Sequence, residues 1–388
     1  MAELIYLDNS ATSYPKPEEV YKFMDSFYRT KGVSPGRSGF DAALETAEMV
    51  DNTRKMLTKL CNGGNDYNRL TFSYNATDSL NLIINGLVEK GAHVVTTKLE
   101  HNSVLRPLYV NEQAGNIEVT YVPFDPQTGY VAPDDIKKAI KSNTKFVVVT
   151  HCSNVIGTIQ PLTEIGKICK EKGVIFVVDG SQGAGAVDVD MQASGIDVYV
   201  FTGHKCLMGP TGIGGSYVRE GIEIGKTRAG GTGVRSAYRA HLDEYPYRLE
   251  YGTLNTLGVA GLYAGVKWIT SEGIMNIHHR EMDLWEKLVS NLRVIEGVKI
   301  YCATSRRNQN PVVSFNIAGF EAGDAGTMLD VDYNIAVRTG LQCAPLVHEV
   351  IGSADIHGTV RMSIGAFTTE QEIDAAIEAV REIADMRK

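Results

Sequence analysis

The chain has 388 residues, 43% hydrophobic and 22% charged, with a formal net charge of −8. That length exceeds one small core, and the composition is that of a folded globular protein rather than a disordered one. No apolar run reaches the length of a membrane span and no Lys/Arg-rich block offers phosphate neutralisation, so neither a membrane nor a nucleic-acid partner is expected.

The N-terminus, MAELIYLDNSATSYPKP, has Glu3 early and lacks the basic-then-apolar layout of a secretory leader, so a cytoplasmic location is expected. Pro17 can open a helix, with Glu18 and Glu19 at the positive end of its dipole and Val20, Phe23 and Phe27 at helical spacing. Candidate strands follow at 70–72, 93–97, 118–122, 146–150, 175–178, 198–202 and 214–218, with helical stretches around 79–88, 133–140 and 162–172. The runs FVVVT and VIFVV are apolar on both parities, which predicts strands covered by helices on both faces and a mostly parallel α/β sheet. After about Gly258 the pattern changes to long amphipathic helices and the strand-like VVSFNIAGF and GTVRMSIG. A last helix follows Thr369, which has capping-box spacing to Glu372, with Ile373, Ile377, Val380 and Ala384 as its apolar stripe. The pattern predicts a large domain over 16–257 and a smaller α/β domain made of 1–15 with 258–388. Six cysteines (Cys61, Cys152, Cys169, Cys206, Cys302 and Cys343) are scattered without a CxxC pair, which points to reduced thiols and to no metal site.

Ligands of parallel sheets gather beyond the carboxyl ends of the strands. Two polar segments fall there: VVDGSQGA, where Asp179 follows five apolar residues, and FTGHK, where Lys205 follows a second strand, 26 residues later, in a Gly-flanked turn. A carboxylate and an amine at neighbouring strand ends suit pyridoxal phosphate (PLP): the lysine forms the imine, and the carboxylate keeps the pyridine nitrogen protonated. Each residue alone has a plainer reading, Asp179 as a helix cap or turn residue and Lys205 as a solvated surface lysine. A nucleotide-binding loop is not supported, because GPTGIGG at 209–215 lacks the Walker spacing and follows the lysine.

Taken in order, YLDNSAT, EHNS, HCSNVIG, VVDGSQGAG, FTGHKCLMGPTGIG, RTGLQCAP and GTVRMSIG resemble the class V aminotransferase-type PLP enzymes of fold type I. Within these the chain is most similar to the cysteine desulfurase and selenocysteine lyase group, over nearly its whole length. The resemblance implies PLP as cofactor, with Lys205 as Schiff-base lysine and general base. It pairs Asp179 with the pyridinium nitrogen, Gln182 and Asn154 with the phenolic oxygen side, and stacks His101 on the ring as a proton-transfer group. Ala76 and Thr77, ahead of a helix expected at 78–88, would bind the phosphate together with Thr202 and His204. Thr253, in EYGTLNT, would reach the phosphate from the partner subunit of a homodimer, although Leu254 replaces the usual proline there.

Arg361 would clamp the substrate carboxylate with its planar fork. Arg338 is a second candidate at the same mouth, and Arg37 stands near a position where this branch often has a substrate-facing histidine. Cys343 would attack the substrate sulfur, forming a persulfide and L-alanine; its thiolate is the reactive form. Leu341 and Gln342 stand where this branch often carries histidines. Three readings stay open: a cysteine desulfurase (or selenocysteine lyase), a PLP-dependent C–S lyase giving pyruvate, and a silent scaffold or sulfur-relay subunit. The substrate expected is a small amino acid, L-cysteine or a relative, and a sulfur-acceptor protein is a further expected partner.

Overall fold

The computed structural model describes residues 4–35 and 39–386. The chain opens with β1 (Ile5–Tyr6), α1 (Glu18–Lys31) and α2 (Asp41–Leu60). A βα alternation follows: β2 (Leu70–Ser73), α3 (Ala76–Leu87), β3 (Ala92–Thr97), α4 (Asn102–Gln113), β4 (Ile117–Val122), α5 (Pro133–Ala139), β5 (Thr144–Thr150), α6 (Leu162–Lys172) and β6 (Ile175–Asp179). Two further strands, β7 (Val198–Thr202) and β8 (Gly214–Val218), complete a seven-stranded sheet in the order β2-β8-β7-β6-β5-β3-β4. Its run from β4 to β7 is parallel, and β8 is antiparallel to both of its neighbours.

Each strand foreseen from sequence is present, and so is the α/β class. Both parities of the central strands are buried, as their composition requires. Phe146 and Val148 pack with α3 and α4 residues such as Ile83 and Leu108, whereas Val147 and Val149 face a core built with Leu57, Ile165 and Val259. One boundary differs. The helix expected at 78–88 begins at Ala76, because the Asn75 side chain caps it by accepting the Asp78 N–H at 2.9 Å. Ala76 and Thr77 therefore form its first turn instead of preceding it.

The remaining chain runs through α7 (Thr256–Glu272), α8 (Ile274–Leu292), β9 (Val298–Tyr301), β10 (Val312–Ile317), α9 (Ala322–Tyr333), β11 (Ile335–Ala336), β12 (Arg338–Gly340), α10 (Pro345–Ile351), β13 (Thr359–Ser363) and α11 (Glu370–Asp385). A second, antiparallel sheet has the order β12-β13-β10-β9, and a third core joins it to α8, α9 and α11. The Thr369–Glu372 capping box forms as its spacing predicts. The N-terminal arm contacts this region: β1 pairs with β11, and Asp8 bridges to Ser363 at the end of β13.

A buried ion pair ties α2 to β2 and to the segment before α7. Arg54 Nη2 lies 2.8 Å from Glu250 Oε2, and the other Glu250 oxygen accepts the Phe72 N–H at 2.6 Å. The Arg54 side chain is only 4% exposed, so removing its partner strands a buried charge. Glu250→Ala is expected to lower unfolding stability by about 3 kcal/mol, read as a shift in the urea midpoint; a change within about 0.5 kcal/mol, the range of ordinary surface substitutions, would contradict this account.

Candidate functional site

Strands β3, β5, β6 and β7 run parallel, so their carboxyl ends meet at one edge of the sheet. A cavity of about 410 Å³ opens there, lined by residues from both sheets and from the N-terminal arm. It contains Ala76, Thr77, His101, Asn154, Asp179, Gln182, Thr202, His204, Lys205, Arg338, Cys343 and Arg361, which the sequence separates by up to 285 positions.

Asp179 ends β6 and is buried; its Oδ1 accepts the Ser181 N–H at 3.0 Å and the Ser181 hydroxyl, which leaves Oδ2 uncommitted. Lys205 follows β7. The residue is partly buried and lines the cavity, and burial lowers its amine pKa to about 8, with Asp179 opposing that shift and Arg361 adding to it.

His101 caps α4. Its Nδ1 accepts the Ser103 N–H at 3.0 Å, so in the neutral ring the proton sits on Nε2. Burial holds this imidazole neutral, with a pKa down to about 4; Asp179 pulls the other way and Lys205 reinforces the burial. Beneath it, Glu100 is fully buried and accepts from Thr97 Oγ1 at 2.7 Å and from the Thr150 N–H at 3.0 Å, locking the end of β3 to β5. Burial pushes its carboxyl up to about 8.

Three features suit an anionic, hydrogen-bonding guest. The first turn of α3 points at the cavity, and no described acceptor takes the Ala76 or Thr77 N–H. Thr77 Oγ1 is 2.6 Å from Ser103 Oγ. Thr202 Oγ1 and His204 Nδ1 are buried there without a partner, which is costly unless a ligand supplies one. On the facing side, Arg361 is 3% exposed; its Nη1 donates to the Asn154 carbonyl at 2.8 Å and its Nη2 bonds the Asp8 carboxylate. Arg338 is exposed at the mouth, and so is Cys343.

One expected site residue lies elsewhere, and another cannot be placed. Thr253 is exposed and lines a separate cavity of about 590 Å³, whose described lining holds no lysine, histidine or cysteine. Arg37 falls outside the described residues. The structure also adds residues to which the sequence assigned no role. Asp8 and Ser10 belong to YLDNSAT, and Gln182 Nε2 donates to the Ser10 carbonyl at 2.9 Å. Ser103, Ser181 and Cys152 line the cavity as well; polar residues inside the EHNS, VVDGSQGAG and HCSNVIG motifs were the available signal.

The class-V aminotransferase family model matches residues 5–376. A protein named cysteine desulfurase IscS, from Clostridium botulinum, is 32% identical over 404 residues, covering 100% of this chain and 96% of the relative. A protein named "Probable cysteine desulfurase", from Methanothermobacter thermautotrophicus, is 31% identical over 387 residues, covering 98% of this chain and 95% of the relative. The solved apo structure of a cysteine desulfurase from Thermococcus onnurineus superposes with a TM-score of 0.90 at 32% identity, covering 99% of this chain and 95% of that one.

The lowered Lys205 pKa has a direct reading. Only the unprotonated amine is nucleophilic, so its labelling by an amine-reactive reagent is expected to rise about tenfold per pH unit and to level off above about pH 8. Mass spectrometry of the Lys205 peptide checks this; a rise that continues to roughly pH 10, as for an ordinary lysine, would refute it.

Proposed function

The chain belongs to the class-V aminotransferase family, and from that premise we propose that it is a PLP-dependent cysteine desulfurase, moving sulfur from L-cysteine to Cys343 and releasing L-alanine. Its structural likeness gives it the fold type I architecture of PLP enzymes. The observation that carries the reading is one cavity holding a partly buried lysine, a cysteine and a buried arginine together. When bound, PLP supplies a carbonyl for the substrate amine and an electron-withdrawing ring.

The residues present fit that group. Asp179 would hold the ring nitrogen, Gln182 the phenolic oxygen, and His101 the ring face. The first turn of α3, Thr202 and His204 would hold the phosphate, giving the two orphaned polar atoms their partners. Arg361, with Arg338 outside it, would grip the substrate carboxylate, and Asn154, whose carbonyl accepts from Arg361, would stand beside the phenolic oxygen and the substrate. Lys205 Nζ, with a pKa near 8, can both take and return a proton at the substrate α-carbon. The Cys343 thiol loses its proton, its sulfur bonds the substrate sulfur, and the substrate C–S bond breaks. The electron pair stays on carbon, which takes a proton to become the methyl of alanine. Selenocysteine suits the same residues.

The reading carries further parts. A homodimer would bring Thr253 of one copy to the phosphate of the other, since Thr253 does not share a cavity with Lys205 of its own chain. The chain would divide into a large domain, 16–257, and a small one, 1–15 with 258–388. An acceptor thiol would collect the sulfur at the exposed Cys343, in a reducing compartment such as the cytoplasm that keeps all six cysteines free.

Product analysis tests the proposal. Cys343→Ala is expected to cut alanine formation from L-cysteine by at least about a hundredfold, the scale of losing an activated nucleophile, while the cofactor absorbance persists. Pyruvate as the parent's product, or alanine undiminished in the variant, would show a C–S lyase or another reaction instead. Lys205→Ala should lose the cofactor band, and a band retained there would remove Lys205 from its role.

A further inference from the structure

Cys343 sits in a backbone conformation that its residue type does not favour. Gln342 has φ +39° and Cys343 φ +58°, two successive non-glycine residues in the left-handed region. They are the central pair of a turn closed by the Ala344 N–H donating to the Leu341 carbonyl at 2.9 Å. Positive φ at both central positions is the signature of a type I′ turn, which ordinarily calls for Asn-Gly. Such a conformation persists only where the surroundings over-determine it.

The surroundings here converge on Gln342. Although it lies between exposed Leu341 and exposed Cys343, Gln342 is buried. Its Nε2 donates to the Thr359 carbonyl at 2.8 Å, and Thr359 Oγ1 lies 3.4 Å from its Oε1. A carbonyl can only accept, so Thr359 fixes which end of the amide faces it. The Gln342 carbonyl accepts from Asn154 Nδ2 at 2.7 Å, and the Cys343 carbonyl accepts from the Asn102 N–H at 2.7 Å. Asn154 also accepts from Arg361 through its own carbonyl. Asn154 thus bonds both the carboxylate clamp and the thiol turn.

We propose that Gln342 is a positioning residue for sulfur transfer: its buried side chain, anchored on Thr359, holds the left-handed turn that presents Cys343 to a substrate gripped by Arg361. The inference rests on the desulfurase reading. It gives a chemical sense to the glutamine found where histidines are common: this position acts as an anchor and moves no proton.

Gln342→Ala removes the anchor. Gln342→Glu keeps the shape and turns the donor at Thr359 into an acceptor. Alanine formation from L-cysteine, measured on the PLP-loaded enzyme, is expected to show kcat at least about tenfold lower in both, with KM within about twofold of the parent, because the carboxylate clamp is intact. The cofactor band should be unchanged. For Gln342→Glu the ratio of variant to parent kcat should rise as pH falls, since a protonated carboxyl again donates to the Thr359 carbonyl; a merely structural loss gives no such recovery. A kcat within twofold of the parent in both variants overturns the proposal, as does loss of the cofactor band in both. If Cys343→Ala still forms alanine, the desulfurase reading itself fails, and that result is obtained with Gln342 untouched.

Discussion

Arg361 carries a permanent charge to a place where 3% of the residue meets solvent, and the rest of the site is arranged around that constraint. A buried guanidinium is tolerable only when partners compensate its lost hydration. It stands on β13 of the smaller sheet, but its partners come from two other parts of the chain. Asn154 lies beyond β5 of the large sheet, and Asp8 lies in the N-terminal arm. The arm is itself fastened to β11 and to Ser363. Satisfying one charge therefore fixes three segments against each other, and the cavity is the space they enclose. Its Nε remains buried without a partner, an open demand on the side of the charge that faces no protein acceptor.

The opposite wall follows a different rule. Parallel strands end together, so β3, β5, β6 and β7 deliver their terminal polar residues to one edge without any special packing. What the packing then decides is charge state. Burial lowers the pKa of Lys205 to about 8 and that of His101 to about 4, whereas Glu100 is raised to about 8. At neutral pH His101 is uncharged, while Glu100 and Lys205 both remain close to their points of change. A cavity walled by fixed full charges would bind an anion, but it would have no group ready to exchange a proton near pH 7.

Much of this was legible in the sequence, for identifiable reasons. FVVVT and VIFVV are apolar on both parities, and β5 and β6 are buried on both faces, so composition and environment say the same thing. Asp179 and Lys205 stand out because a charged residue after an apolar run marks a strand end. Helix α2 was not visible, since its buried face includes Thr46, Thr53, Arg54 and Thr58 among its apolar residues, and that arginine is matched by Glu250 almost two hundred positions away. Helix α4 was hidden by Pro107 inside it and by a histidine as its cap. Gln342 stood out only as a departure from the usual histidine, and the roles of Asp8 and Gln342 could not be read: each owes its role to one tertiary partner, Arg361 in the first case and Thr359 in the second.

The turn at Cys343 shows why such a partner is needed. A left-handed pair would be least strained with glycine at its second position, but glycine has no thiol. Two non-glycine residues there cost about 2–4 kcal/mol together. Four hydrogen bonds hold the turn: Gln342 Nε2 to Thr359, Asn154 to the Gln342 carbonyl, Asn102 to the Cys343 carbonyl, and Ala344 to Leu341. At about 1 kcal/mol each they offset a strain of that size. Three of the four attach to backbone atoms and would survive a change of side chain at 342. Only the bond to Thr359 depends on the residue being glutamine, and that is the bond anchoring the turn to β13, the strand that carries Arg361 two residues further on. A reactive group placed by backbone strain needs a side-chain anchor beside it, and the position before Cys343 is where this chain has one.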